Sequence, residues 1–146
     1  MEEITSFVKL LQSTISPVAL ISGVGLILLS LTNRLARTID RSRGMVAELE
    51  NENVADKEKK RLQLKILYKR SVILRYSIGA ISLSILSSSL IILVLLLMNL
   101  FSANLEWLGV IFFFISIVGI ILSAIFLFVD VSLTLKAIEF EIEGHL

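Results

Sequence analysis

Three stretches of this chain, residues 10–33, 76–105 and 107–129, contain no Asp, Glu, Lys, Arg or His. Each exceeds the roughly 20 residues with which an α-helix, rising about 1.5 Å per residue, crosses a hydrocarbon layer about 30 Å thick. A buried helix in a soluble bundle needs a polar side, and Ile-Ile-Leu-Val-Leu-Leu-Leu at 91–97 offers none. With 55% hydrophobic residues and a mean hydropathy of +0.88, a 146-residue chain has more apolar surface than a soluble core of its size can use. The fold class that follows is all-α: a polytopic membrane protein with three transmembrane helices.

The charges orient it. Of 14 Lys and Arg, twelve fall in residues 34–75, leaving Lys9 before the first span and Lys136 after the third. Short connections rich in Lys and Arg stay in the cytoplasm, so the N-terminus and the turn at 99–106 are expected outside and the C-terminus inside. Trp107 fits the outer interface, where an amphipathic ring sits at headgroup level. Residues 2 and 3 are both glutamate and no small-residue cleavage site follows the first span, so that span is expected to remain in the mature chain rather than leave as a signal peptide.

Ile4, Phe7, Val8 and Leu11 share one helical face, which predicts a short helix over 2–13 lying along the outer membrane surface. Ser16 followed by Pro17 reads as N-cap and first helical residue, placing the start of the first transmembrane helix (16–35) there. Leu28, Leu31 or Thr32, Leu35, Ile39, Ser42, Val46 and Leu49 recur at spacings of three and four without a change of phase. A second such seam runs through Leu64, Leu67, Ser71, Leu74 and Ile78. Between them lies a polar stretch with Asn51, Asn53 and Asp56 as turn and capping residues. The reading is a long cytoplasmic helical hairpin over 36–73, against the alternative of a flexible basic loop. Transmembrane helices two and three follow at 76–100 and 107–129. The apolar positions Val131, Leu135, Ile138 and Ile142 continue helix three into a cytoplasmic tail at 130–146. Glu139, Glu141 and Glu143 oppose the basic hairpin in sign, and contact between the two is expected.

Small and polar residues recur every seven positions: Ser16, Gly23, Ser30, Arg37 and Gly44 in the first helix, Gly109, Ser116, Ser123 and Asp130 in the third, with Ser77, Ala80, Ser84 and Ser87 or Ser88 in the second. In lipid such stripes let helix backbones approach, either within one bundle or between copies. A stripe on the first helix could instead line a water-filled path, which requires a homo-oligomer because three helices enclose little lumen. Asp130, near the same boundary as Arg34 and Arg37, is expected to pair with one of them unless those arginines snorkel outward. Asp40 lies three residues from both Arg37 and Arg43 and can be satisfied locally.

Much chemistry is excluded. The chain has no cysteine, and its one histidine, His145, stands beside the C-terminus, so neither a nucleophilic triad nor a His/Cys metal site can be drawn. The two glycines of Ser-Gly-Val-Gly-Leu at 22–26 sit inside a span rather than in a phosphate loop. An enzyme, a cofactor and a resident metal are therefore not expected. The basic segment also carries six acids and no aromatic platform apart from Tyr68, which argues against nucleic acid and for anionic lipid headgroups.

The run Ser-Pro-Val-Ala-Leu-Ile-Ser-Gly at 16–23, then Thr-Asn-Arg-Leu-Ala-Arg at 32–37 and Asp-Arg at 40–41, resembles the opening of a bacterial family of small membrane proteins catalogued as domain of unknown function 2721. The layout of the hairpin and the two further spans is similar. The resemblance implies a multi-pass protein of a bacterial inner membrane and supplies no activity or site residues.

The function expected from the residues is a homo-oligomeric ion channel or channel-like pore lined by the first helix through Ser16, Ser22, Gly23, Ser30, Thr32 and Asn33. Arg34, Arg37 and Arg41 would stand near its cytoplasmic mouth, and Asp130 near an ion pair. The alternative is a non-conducting scaffold or regulatory subunit that docks a partner through the hairpin.

Overall fold

In a computed structural model, the described residues are 2–49, 54–101 and 104–143, with side chains described for 8–49 except 10, for 57–101 except 59, and for 104–135. They form three helices: α1 Glu2–Leu49, α2 Val54–Phe101 and α3 Glu106–Glu143. Each contains a stretch long and apolar enough to cross a membrane, within Leu11–Leu49, Lys60–Phe101 and Glu106–Leu135. The protein is an all-α membrane protein with three transmembrane helices.

One boundary is corrected. α1 does not begin at Ser16; residues 2–13 belong to the same helix as 16–35, and Pro17 lies inside it, buried. The Ser-Pro start signal is calibrated on helices that end in water. Here Val8, Leu11 and Ile15 carry the apolar character upstream of the proline, and a helix in lipid gains nothing by stopping where its backbone would be exposed. Pro17 removes one amide donor, and the helix tolerates that loss because every other turn continues. At the far ends the expectation holds. α1 runs past the apolar stretch to Leu49, and α3 past Asp130 to Glu143. The turn residues Asn51 and Asn53, and the side chains of Asp56, Ile4, Phe7, Lys136, Ile138, Glu139, Glu141, Ile142, Glu143 and His145, lie outside the described residues.

The chain divides into two compact units, residues 1–29 with 79–122 and residues 30–78 with 123–146. In the first, α2 and α3 touch at their backbones. A Cβ added at Gly119 would lie 2.8 Å from the Ala80 carbonyl oxygen and 3.1 Å from Ser84 Cβ. Only glycine permits that approach, which is how small residues substitute for the missing hydrophobic drive between helices in lipid. α3 opens with Leu105 O accepting the amides of Leu108 and Gly109 at 3.0 and 3.4 Å.

In the second unit the chain directions of α1 and α2 oppose: Lys60 donates to Glu48 at 2.7 Å, and Ile39 and Ser71 border the same groove. Leu31, Leu74, Leu67 and Thr38 are buried there. The threonine hydroxyl is satisfied within its own helix, donating to Arg34 O at 2.9 Å.

Candidate functional site

Asp130 is fully buried, and α3 presents it to two arginines from different helices. Arg70 of α2 donates Nε to Oδ1 at 3.0 Å, and Arg34 of α1 donates Nη1 to Oδ2 at 3.3 Å. A single carboxylate between two guanidiniums leaves a local excess of positive charge and ties all three helices of the second unit together. The arginine side chains differ in exposure, 17% for Arg70 and 37% for Arg34. Arg70 is thus committed to the cluster, while Arg34 keeps donors toward the outside. Of the two pairings expected for Asp130, the one with Arg34 forms; Arg37 is exposed and takes no part. Asp40 is exposed and forms no ion pair with Arg37 or Arg43.

Serines make further polar contacts inside the bundle. In the second unit Ser77 Oγ donates to Ser123 O at 2.9 Å and lies 2.9 Å from Ser123 Oγ. In the first unit Ser116 Oγ lies 2.9 Å from Ser84 Oγ and 2.8 Å from Ser88 Oγ. All five serines are buried, so the stripes expected on α2 and α3 are packing faces whose hydroxyls satisfy one another. Arg70 was not legible as Asp130's partner from the basic run alone, yet a signal existed. Arg70, Ser77 and Ser84 are seven apart on α2, as Asp130, Ser123 and Ser116 are on α3.

The α1 stripe behaves differently. Ser16, Ser22, Gly23, Ser30, Thr32 and Asn33 are all exposed, as are Arg37 and Arg41. A Cβ at Gly23 or Gly44 would meet nothing within 4 Å. What α1 buries is the neighbouring phase, Pro17, Val24, Leu31 and Thr38. Ser22 keeps its hydroxyl satisfied against Val18 O at 3.0 Å. In the first unit Ser16 borders an apolar recess of about 510 Å³ whose other ionisable or hydroxyl-bearing member is Glu106.

A larger open groove, about 880 Å³, runs between α1 and α2 in the second unit. Its apolar lining includes Ile39, Val46, Leu64 and Tyr68, and Arg43, Arg61 and Lys65 stand along it. Among the described residues no group of three or more His, Cys, Asp or Glu stands together as a metal ion would require.

Comparisons with curated proteins and with solved structures find no match. A family model does match, over residues 14–140, from the first span through the start of the tail. The chain therefore belongs to the family described as Protein of unknown function (DUF2721).

Proposed function

We propose that the protein assembles in the membrane as a homo-oligomeric channel whose copies meet around α1. The observation that carries this reading is the contrast between helices: Ser77, Ser84, Ser88, Ser116 and Ser123, buried on α2 and α3, find hydroxyl partners within the chain, whereas Ser16, Gly23, Ser30 and Asn33 of α1 are left outward. Facing hydrocarbon, Ser16, Ser30 and Asn33 would be costly and purposeless; facing water or another copy, they are useful. In this reading the N-terminus lies outside, and the paired arms of α1 and α2 lie in the cytoplasm of a bacterial cell beside anionic headgroups, the placement that the clustered Lys and Arg favour. With Arg34 turned to Asp130, Arg37 and Arg41 are the cations free to stand at the cytoplasmic mouth, where they favour anions.

The test is ion flux into proteoliposomes containing protein shown to be folded and oligomeric, with Ser30→Leu as control. Flux that Ser30→Leu lowers at least tenfold supports the channel; no flux across ions and voltages overturns it. The open groove on the arms favours a second reading, a non-conducting scaffold that holds a partner there. A monomer in the bilayer, or a ring plugged along its axis by Leu and Ile, would decide for it.

A further inference from the structure

The groove between the arms of α1 and α2 exposes apolar surface in the part of the second unit that is otherwise charged: Tyr68 is 70% and Val46 49% exposed. Apolar patches rimmed by polar residues mark interaction sites. Arg43, Arg61 and Lys65 line it, no acid stands among its described lining residues, and none of the three cations forms an ion pair among the described residues. The groove calls for an acidic, amphipathic occupant.

Helical geometry says on which side it opens. Arg34 and Arg70 both reach Asp130, so they mark the α3 side of each arm. At about 100° per residue, Arg43 stands about 180° round α1 from Arg34, and Arg61 about 180° round α2 from Arg70, with Ile39, Val46, Lys65 and Tyr68 about 120–160° round. The groove thus faces away from the chain's own α3. Along α3 itself, the positions of Leu135, Glu139 and Glu143 lie about 140°, 180° and 140° round from Asp130, and Leu135 is 64% exposed. The sequence thus puts Leu135, Glu139 and Glu143 at helical positions opposite Asp130.

The levels also agree. Glu139 stands nine residues beyond Asp130, Arg43 nine beyond Arg34, and Arg61 nine before Arg70. All three positions are therefore roughly 14 Å along their helices from the Asp130 cluster. A bilayer holds every copy at one height, so neighbouring copies bring Glu139 level with Arg43 and Arg61. From these three agreements, in charge, direction and level, we infer that the groove receives the acidic face of α3 from a second copy of this chain. The inference rests on the homo-oligomeric reading and names the contact that builds the oligomer. Because donor and acceptor faces differ, the contact is head-to-tail, the kind that builds a ring when the rotation between copies closes. Along α1 the groove runs from Ile39 to Ala47, eight residues or roughly 12 Å, longer than a headgroup layer of about 5–8 Å.

The chain has no cysteine, so introduced ones report alone. Arg43→Cys and Glu139→Cys copies carrying tags of different size are mixed in neutral phosphatidylcholine vesicles, oxidised, and resolved by mass, with helicity checked by circular dichroism. The expected product is the mixed dimer at no less than fivefold over either like dimer, while the double variant on one chain gives a ladder of multimers. Arg61→Glu in the Arg43→Cys copy should lower the mixed dimer at least fivefold, and Glu143→Arg in the Glu139→Cys copy should restore it. A double variant that cross-links only within one chain, or a mixed dimer no more abundant than the like dimers, overturns the proposal. Flux measured on the same vesicles separates the two claims: cross-links without flux leave the docking and remove the channel, and flux without cross-links does the reverse.

Discussion

Replacing Asp130 with asparagine keeps the side chain's shape and removes its charge. Two guanidiniums then converge on the buried position of residue 130 with no anion between them. Removing one partner of a buried ion pair generally costs about 3–5 kcal/mol, most of it the cost of the charge left behind. Here the two arginines contribute unequally. Arg70, 17% exposed and 3.0 Å from Oδ1, has little water to turn to, while Arg34, 37% exposed and 3.3 Å from Oδ2, can swing out. The expected loss for Asp130→Asn is therefore at the lower end, about 3 kcal/mol. Arg70→Met should cost about 2 kcal/mol, and Arg34→Met, with its better-hydrated side chain, about 1 kcal/mol or less. The triple replacement of Arg34, Arg70 and Asp130 by Met, Met and Leu should recover most of the loss, since no stranded charge remains. Reversible unfolding in mixed micelles, followed by helicity, measures all four. If Asp130→Asn costs under 1 kcal/mol, or if the triple variant is worse than the single one, the cluster does not join the helices as described.

Gly119→Ala should force α2 and α3 apart, because its new Cβ meets the Ala80 carbonyl rather than a side chain that can turn away; a loss of about 1–3 kcal/mol in the same unfolding measurement is expected. Ser116→Ala removes the hydroxyl shared by Ser84 and Ser88 and should cost only about 1 kcal/mol, since both can turn to carbonyls of their own helix. Arg37→Glu, on an exposed residue outside the Asp130 cluster, should leave stability within about 0.5 kcal/mol and shift the reversal potential of reconstituted currents toward cation selectivity.

How much of this could be read from residues alone differs by helix. On α3 the spacing of Gly109, Ser116, Ser123 and Asp130 marked the inward face, and that face is where Ser116, Ser123 and Asp130 are buried. On α1 the same kind of stripe faces outward, and the phase one residue on, Pro17, Val24, Leu31 and Thr38, is the one that packs. The physical cause is that in lipid both sides of a helix are apolar, so hydrophobicity does not label the core and only small residues do. Small residues serve contacts within a chain and between chains alike, and periodicity does not distinguish the two. The continuation of α1 past its apolar stretch to Leu49 was legible because its seam keeps phase through the charged stretch. The start of α1 was misread because a Ser-Pro signal has a different meaning in a helix already buried in lipid. Arg70 escaped because its basic run offers many cations. Only the register that pairs Ser77 with Ser123 selects it for Asp130.

The central claim is that α1 faces water along a central axis shared by several copies. Cysteine at Ser30, in protein reconstituted into vesicles and exposed to a membrane-impermeant charged thiol reagent, tests it most directly, with cysteine at Phe128, 72% exposed on α3, as the control away from the axis. The account predicts that Ser30→Cys is labelled and that labelling blocks flux, while Phe128→Cys is neither labelled nor blocked. Equal protection of both positions from the reagent would contradict it.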